Sequence, residues 1–89
     1  MATYTIEFVK SARKEFERLP AKIRAKTAEA LNLLALNPYS ELLKIKKMKG
    51  APDLYRIRLG EYRVLYELRN ERLVVVVIKL GHRREVYRK

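Results

Sequence analysis

Three arginines are spaced so that they could hold a phosphate. Arg56 and Arg58 lie in the strand-like run Leu54 to Leu59, and Arg63 lies in the next run, Tyr62 to Arg69, with only Gly60-Glu61 between the runs. A two-residue loop implies an antiparallel hairpin, and glycine at its first central position suits a type II′ turn. The register set by that loop puts Arg58 opposite Arg63 and Ile57 opposite Val64. Because side chains alternate across a sheet, Tyr55, Ile57, Leu59, Tyr62, Val64, Tyr66 and Leu68 take one face, and Arg56, Arg58, Arg63 and Leu65 the other. Like charges directly opposite one another destabilise a sheet by up to about 1 kcal/mol. No carboxylate shares the arginine face of the hairpin before Glu67, so the arrangement calls for an anion between the guanidinium groups, with phosphate the natural candidate. The alternative is a solvated face whose long side chains splay over apolar surface.

More cations flank the hairpin. Lys44, Lys46, Lys47 and Lys49 precede it, and the tail Gly81-His82-Arg83-Arg84-Glu85-Val86-Tyr87-Arg88-Lys89 follows the last strand-like run. A tyrosine beside arginines can stack on an unpaired nucleobase, worth about 1–3 kcal/mol per base, while the arginines hold phosphates. Tyr87 serves that role or packs at the chain end; a lone surface histidine such as His82 is usually neither ligand nor base. The absence of cysteine removes thiol nucleophiles and thiolate zinc sites, and a single histidine removes His-rich metal sites and paired imidazole acid–base catalysis. The ten carboxylates are scattered singly along the chain and suggest no two-metal nuclease cluster, so no metal or cofactor is expected.

The elements that must position these groups are readable from periodicity. Thr3 to Val9 alternates Tyr4, Ile6 and Phe8 with polar residues, the pattern of a half-buried strand. From Ser11, Ala12, Phe16 and Leu19 mark the apolar side of two helical turns that end at Leu19-Pro20. Pro20 opens a second helix, whose Ile23, Thr27, Ala30, Leu31 and Leu34 run to the stop at Asn37-Pro38. Tyr39 to Asp53 reads as a basic connection. A third strand-like run, Arg72 to Leu80, follows a two-residue loop at Asn70-Glu71, which suits its turn type less well because Glu disfavours positive φ. Its core, Leu73 to Ile78, is apolar on both faces and so should be central in the sheet. The sum is one α+β domain over residues 1–89, in the order β-α-α-β-β-β, with a two-helix hairpin on one face of a largely antiparallel four-stranded sheet.

Twenty-one Lys and Arg against ten Asp and Glu give 89 residues a formal charge of +11, which points to a polyanion or an acidic protein as partner. A domain this small buries only about 60–70% of its unfolded surface, so a bound partner would add stability. No leader pattern opens the chain, and no apolar run approaches the roughly 18 residues of a membrane span, which makes the cytoplasm the expected location and a membrane an unexpected partner.

Taken together, the motifs Lys47-Met48-Lys49-Gly50-Ala51-Pro52-Asp53-Leu54-Tyr55-Arg56-Ile57-Arg58-Leu59, Tyr62-Arg63-Val64-Leu65-Tyr66 and Gly81-His82-Arg83-Arg84-Glu85-Val86-Tyr87 make the chain resemble the RelE branch of the RelE/ParE superfamily of bacterial and archaeal toxins. The resemblance spans nearly the whole chain. It implies a RelE-like fold and a ribosome-dependent endoribonuclease that cuts mRNA in the A site, without metal, by attack of a ribose 2′-hydroxyl on the adjacent phosphate. It further implies that Arg56 and Arg58 contact the scissile region and that Arg63 stabilises the phosphate. Arg83 would protonate the leaving 5′-oxygen, and Tyr87 would stack on the substrate base. Lys46, Lys47, Lys49, His82 and Arg84 would contribute RNA contacts. Arginine stands at 56 and 58 where the family carries lysine, and a guanidinium is a poor general base. Three readings of the base follow: Arg58 acts electrostatically, Tyr87 or His82 takes the proton, or the ribosome orients the 2′-hydroxyl so that a strong base matters little.

The same resemblance implies a cognate antitoxin, with the pair binding operator DNA through the antitoxin. The rival within the fold is a ParE-type gyrase poison, which lacks this basic set. A rival of another class is a non-catalytic RNA- or ribosome-binding module, held by phosphate neutralisation alone.

Overall fold

The computed structural model describes residues 3–82. Strand β1 (Thr5–Phe8) leads into helices α1 (Lys10–Glu17) and α2 (Ala21–Leu36), followed by β2 (Ile45–Lys47), β3 (Leu54–Leu59), β4 (Tyr62–Arg69) and β5 (Val74–His82). The strands form one mixed sheet in the order β1-β5-β4-β3-β2, in which only the β1–β5 pair is parallel. Both helices pack on one face.

The helices end where proline and capping dictate. Pro20 sits at the N-cap of α2 rather than its first turn. The Arg24 guanidinium donates to the carbonyls of Glu17 and Leu19 at 3.3 and 3.2 Å, satisfying acceptors left over at the end of α1. Thr27 is buried within α2 and donates its hydroxyl to the Ile23 carbonyl at 2.8 Å, so burying it leaves no donor unmet. Ala12, Leu19, Ala30, Leu31 and Leu34 from the helices meet Ile57, Val64, Tyr66, Leu68, Val75, Val77 and Leu80 from the sheet in a continuous core. The face assigned to Ile57, Val64, Tyr66 and Leu68 is therefore the helix-covered one.

Three features differ from the sequence expectation. Among the described residues the sheet has five strands, not four, because Ile45–Lys47 of the basic connection pairs antiparallel with β3, Lys46 facing Arg56 across the ladder. Three residues are too few to show a period of two, and two of them are consecutive lysines; the strand exists because β3 offers it an edge. The β4–β5 loop spans residues 70–73 rather than two residues, with Arg69 paired to Val74. Positive φ falls on Leu73 (54°) rather than on Glu71, and the Arg72 and Leu73 amides bond back to Arg69 and Asn70. Finally, the β4–β5 register shifts between Leu65 and Tyr66, which pair with Lys79 and Val77 and leave Ile78 as the extra residue of a bulge.

Asn70 ties this end of the molecule together. Its side-chain oxygen accepts from the Tyr4 hydroxyl at 2.6 Å and the Tyr39 hydroxyl at 3.3 Å, joining the β4–β5 loop to the start of β1 and to the segment after α2.

Candidate functional site

The β3–β4 hairpin has the register its turn implies: Arg58 is opposite Arg63, Ile57 opposite Val64 and Leu59 opposite Tyr62. Gly60 has φ 64° and Glu61 does not enter the positive region, as a type II′ turn requires. Arg56 is opposite Leu65 on β4 and Lys46 on β2, so register brings Lys46, Arg56, Arg58 and Arg63 onto the sheet face turned away from the helices.

The three arginines are not equivalent. Arg58 is exposed and Arg56 half-buried, whereas Arg63 is only 6% exposed. The Arg63 guanidinium folds toward its own turn and donates through Nη1 to the carbonyls of Gly60 and Tyr62, at 3.3 and 3.4 Å. A guanidinium held this way is oriented before any ligand arrives, so less side-chain freedom is lost on binding. Exposed Arg58, facing it, is the adaptable member. This difference in burial has no signal in the sequence, where the two arginines look alike.

The remaining expected site residues divide. Lys46 and Lys47 are exposed on β2; Lys47 pairs with Tyr55 and so takes the opposite face from Lys46. Lys49 is exposed in the turn that follows, close in sequence to Gly50 at φ 74°. His82 ends β5 opposite Tyr62, with the two rings edge-on at a centroid distance of 5.7 Å, which puts it on the helix-side face rather than among the arginines. Gly81, directly opposite Arg63, occupies the arginine face instead. Arg83, Arg84 and Tyr87 lie outside the described residues.

Among the described residues, no three His, Asp or Glu side chains gather as a metal-binding group. Glu67, the nearest carboxylate along β4 on the arginine face, is taken up by Arg69 at 2.8 Å. The arrangement can thus hold an anion, or stabilise negative charge that grows on one, by a tethered guanidinium at Arg63 and an adaptable one at Arg58. No helix of the described residues is long and apolar enough to cross a membrane.

The profile of the family described as ParE toxin of type II toxin-antitoxin system, parDE, matches residues 6–87. The mRNA interferase toxin RelE of Escherichia coli is 34% identical over 88 residues, a match that covers 94% of this chain and 90% of that protein. The chain belongs to the RelE branch of the RelE/ParE toxin superfamily. Toxin RelG of Mycobacterium tuberculosis is 32% identical over 89 residues, covering 97% of this chain and 98% of its own. In three dimensions, the archaeal RelE in the RelE–RelB complex from Pyrococcus horikoshii superposes with a TM-score of 0.79 at 32% identity, covering 91% of this chain and 96% of the other. Family profile, RelE relatives and fold agree over almost the full length, so the superfamily and its RelE-like α+β architecture both stand as the sequence motifs implied.

Proposed function

We propose that this RelE-family toxin is a ribosome-dependent endoribonuclease that cuts mRNA in the A site. The supporting observation is the facing pair Arg58 and Arg63, with Arg56 and Lys46 on the same open face. Attack of a ribose 2′-hydroxyl on the neighbouring phosphorus adds negative charge to the equatorial oxygens. Guanidinium groups that meet that growing charge stabilise the transition state more than the ground state. The P–O5′ bond breaks as the new O2′–P bond forms, the 2′-hydroxyl losing its proton to solvent and the 5′-oxygen gaining one from Arg83, which solvent reprotonates, to give a 2′,3′-cyclic phosphate or its 3′-phosphate hydrolysis product and a 5′-hydroxyl.

In this reading Arg63 clamps the phosphate, Arg58 and Arg56 follow the developing charge, Arg83 supplies the proton to the 5′-oxygen, and Tyr87 stacks on the base. Lys46, Lys47 and Lys49 engage flanking phosphates, and Arg84 and His82 add RNA contacts. The chemistry needs no metal, because guanidinium charge does the work a Lewis acid would otherwise do. The partner in the resting cell is a cognate antitoxin, as RelB is for the Pyrococcus horikoshii protein, and the complex reaches operator DNA through the antitoxin. A charge of +11 gives an acidic antitoxin both a fast encounter and a reason to cover the arginine face. Translating ribosomes place the activity in the cytoplasm.

Mapping mRNA 5′ ends in a reconstituted translation reaction tests the proposal. Cuts phased with codons, dependent on ribosomes and lost in Arg63→Ala are expected. Intact mRNA alongside undiminished ribosome binding would identify a binding module instead. Metal independence has its own test: cleavage at a scissile phosphorothioate should not be rescued by thiophilic Mn²⁺.

A further inference from the structure

Strand β5 outruns its neighbour. The parallel partner β1 ends at Phe8, opposite Val77, and the last backbone bond along that edge is donated by the Val9 amide to the Val77 carbonyl at 3.0 Å. Beyond Val77, β1 offers no further ladder partner, and among the described residues Lys79 and Leu80 pair as strand with β4 alone, in the stretch that follows the bulge. A strand edge that its neighbour has left presents amides and carbonyls that need partners.

A side chain from α1 takes the place of the missing strand. The Glu15 carboxylate accepts the Leu80 backbone N–H through Oε1 at 3.0 Å and pairs through Oε2 with the Lys79 ammonium at 3.1 Å. The bond spans 65 residues of sequence. Both side chains of the ion pair are largely covered, with 29% of Glu15 and 38% of Lys79 exposed. Leu80, whose amide is held, lies 2% exposed in the core directly opposite Val64, and its neighbour Gly81 lies opposite Arg63. In the sequence, Arg83 follows this segment directly.

We infer that Glu15 is a positioning residue for the RNA-cleaving site: its carboxylate acts as a one-residue substitute for β1 and fixes the end of β5 against Arg63. Its partners are the Leu80 amide and Lys79, which register places opposite Leu65, and it acts through the backbone of Leu80. The inference rests on the cleavage reading for its functional consequence, and on the Glu15–Leu80 bond alone for its structural one. A displacement of about 1 Å at a reacting group can cost about 100-fold in rate, and the backbone bond supplies that leverage.

The test compares wild type, Glu15→Ala and Glu15→Gln as full chains, reading single-turnover cleavage on programmed ribosomes, ribosome affinity, and amide exchange across residues 78–82. Gln keeps an oxygen for the Leu80 amide and loses only the charge. Expected is a cleavage rate about 10–100-fold lower in the Ala variant with affinity within about 2-fold, recovery in the Gln variant to within about 3-fold of wild type, and faster Leu80 exchange in the Ala variant only. Equal rates in wild type and the Ala variant at saturating ribosomes would overturn the inference, as would a Gln variant as slow as the Ala variant. If the Ala variant does not fold, the Gln variant and its exchange decide alone: a rate and an amide both close to wild type uphold the inference, and loss of either overturns it. If the wild type itself leaves mRNA intact, the cleavage reading fails separately, and Leu80 exchange still decides whether Glu15 fixes the strand end.

Discussion

Arg58 stands directly opposite Arg63 in the β3–β4 ladder, yet Arg58 is exposed while Arg63 is 6% exposed and bonded to its own turn. Two like charges in register are a stability cost that the isolated fold has no reason to carry. Binding an anion offsets that cost, so function and stability should separate at this pair.

Arg58→Ala should therefore leave the protein as stable as wild type or raise stability by up to about 1 kcal/mol, because it removes a like-charge cross-strand neighbour. The same change should lower single-turnover cleavage by about 100-fold or more, the scale on which one electrostatic donor contributes to an oxyanion-type transition state. Urea denaturation and the ribosome assay read the two effects. A destabilised variant with normal cleavage would reverse the assignment.

Arg63→Lys keeps a cation but not the planar fork that reaches the carbonyls of Gly60 and Tyr62. Cleavage should fall nearly as far as in Arg63→Ala, since lysine cannot reproduce the pre-oriented geometry. Full rescue by lysine would mean that charge alone matters at this position.

Gly60→Ala tests the turn that sets the register. A Cβ there meets nothing within 4 Å, so the cost is the positive φ of 64° and not a clash. About 1–2 kcal/mol of destabilisation is expected by denaturant titration. The Gly60 carbonyl also receives Arg63, so cleavage should fall further than the loss of stability explains.

Tyr66 is fully buried, stacks on Tyr55 at a centroid distance of 5.8 Å, and has no hydrogen-bond partner for its hydroxyl among the described residues. Burial first, then the neighbouring Tyr55 and Tyr39, push its pKa above the ordinary tyrosine value. Removing an unsatisfied buried hydroxyl relieves about 1–3 kcal/mol of desolvation, so Tyr66→Phe should be neutral or stabilising in denaturant unfolding at neutral pH. The pH dependence follows from the raised value. The unfolded chain releases this proton near pH 10 and the folded chain holds it, so stability is intact below about 10 and falls as pH rises beyond. The Phe variant should lose that part of the alkaline decline, which an unfolding series from pH 8 to about 11 would show.

Salt dependence reports the phosphate contacts. Removing Lys46, which shares the face of Arg56, should reduce the slope of log affinity for single-stranded RNA against log salt by about 0.7, and Lys46→Ala with Arg58→Ala by about twice that. Unchanged slopes would place the RNA elsewhere.

What the sequence determined by itself was everything governed by neighbours along the chain. Gly60-Glu61 defines a two-residue turn, and with it the register of β3 and β4, the shared face of Arg56, Arg58 and Arg63, and the core face of Ile57, Val64 and Tyr66. Pro20 and Asn37-Pro38 stop the helices because proline removes a donor and fixes φ, a rule that operates within a few residues. The apolar run of β5 showed that it would be central in the sheet, and over Val74–Val77 it lies between β1 and β4.

Only the tertiary structure decided the rest, because those features depend on a partner far away in sequence. Ile45–Lys47 becomes a strand by pairing with β3, although three residues carry too little pattern to announce it. The β4–β5 loop lengthens so that the positive φ falls on Leu73 and spares Glu71, and Asn70 of that loop is held by Tyr4 and Tyr39. Arg63 is buried and Arg58 is not, a difference set by packing around residues of the same type. Glu15 looks like one more charged residue on a short helix until the fold brings it beside Leu80 of β5, whose amide it accepts where β1 has run out.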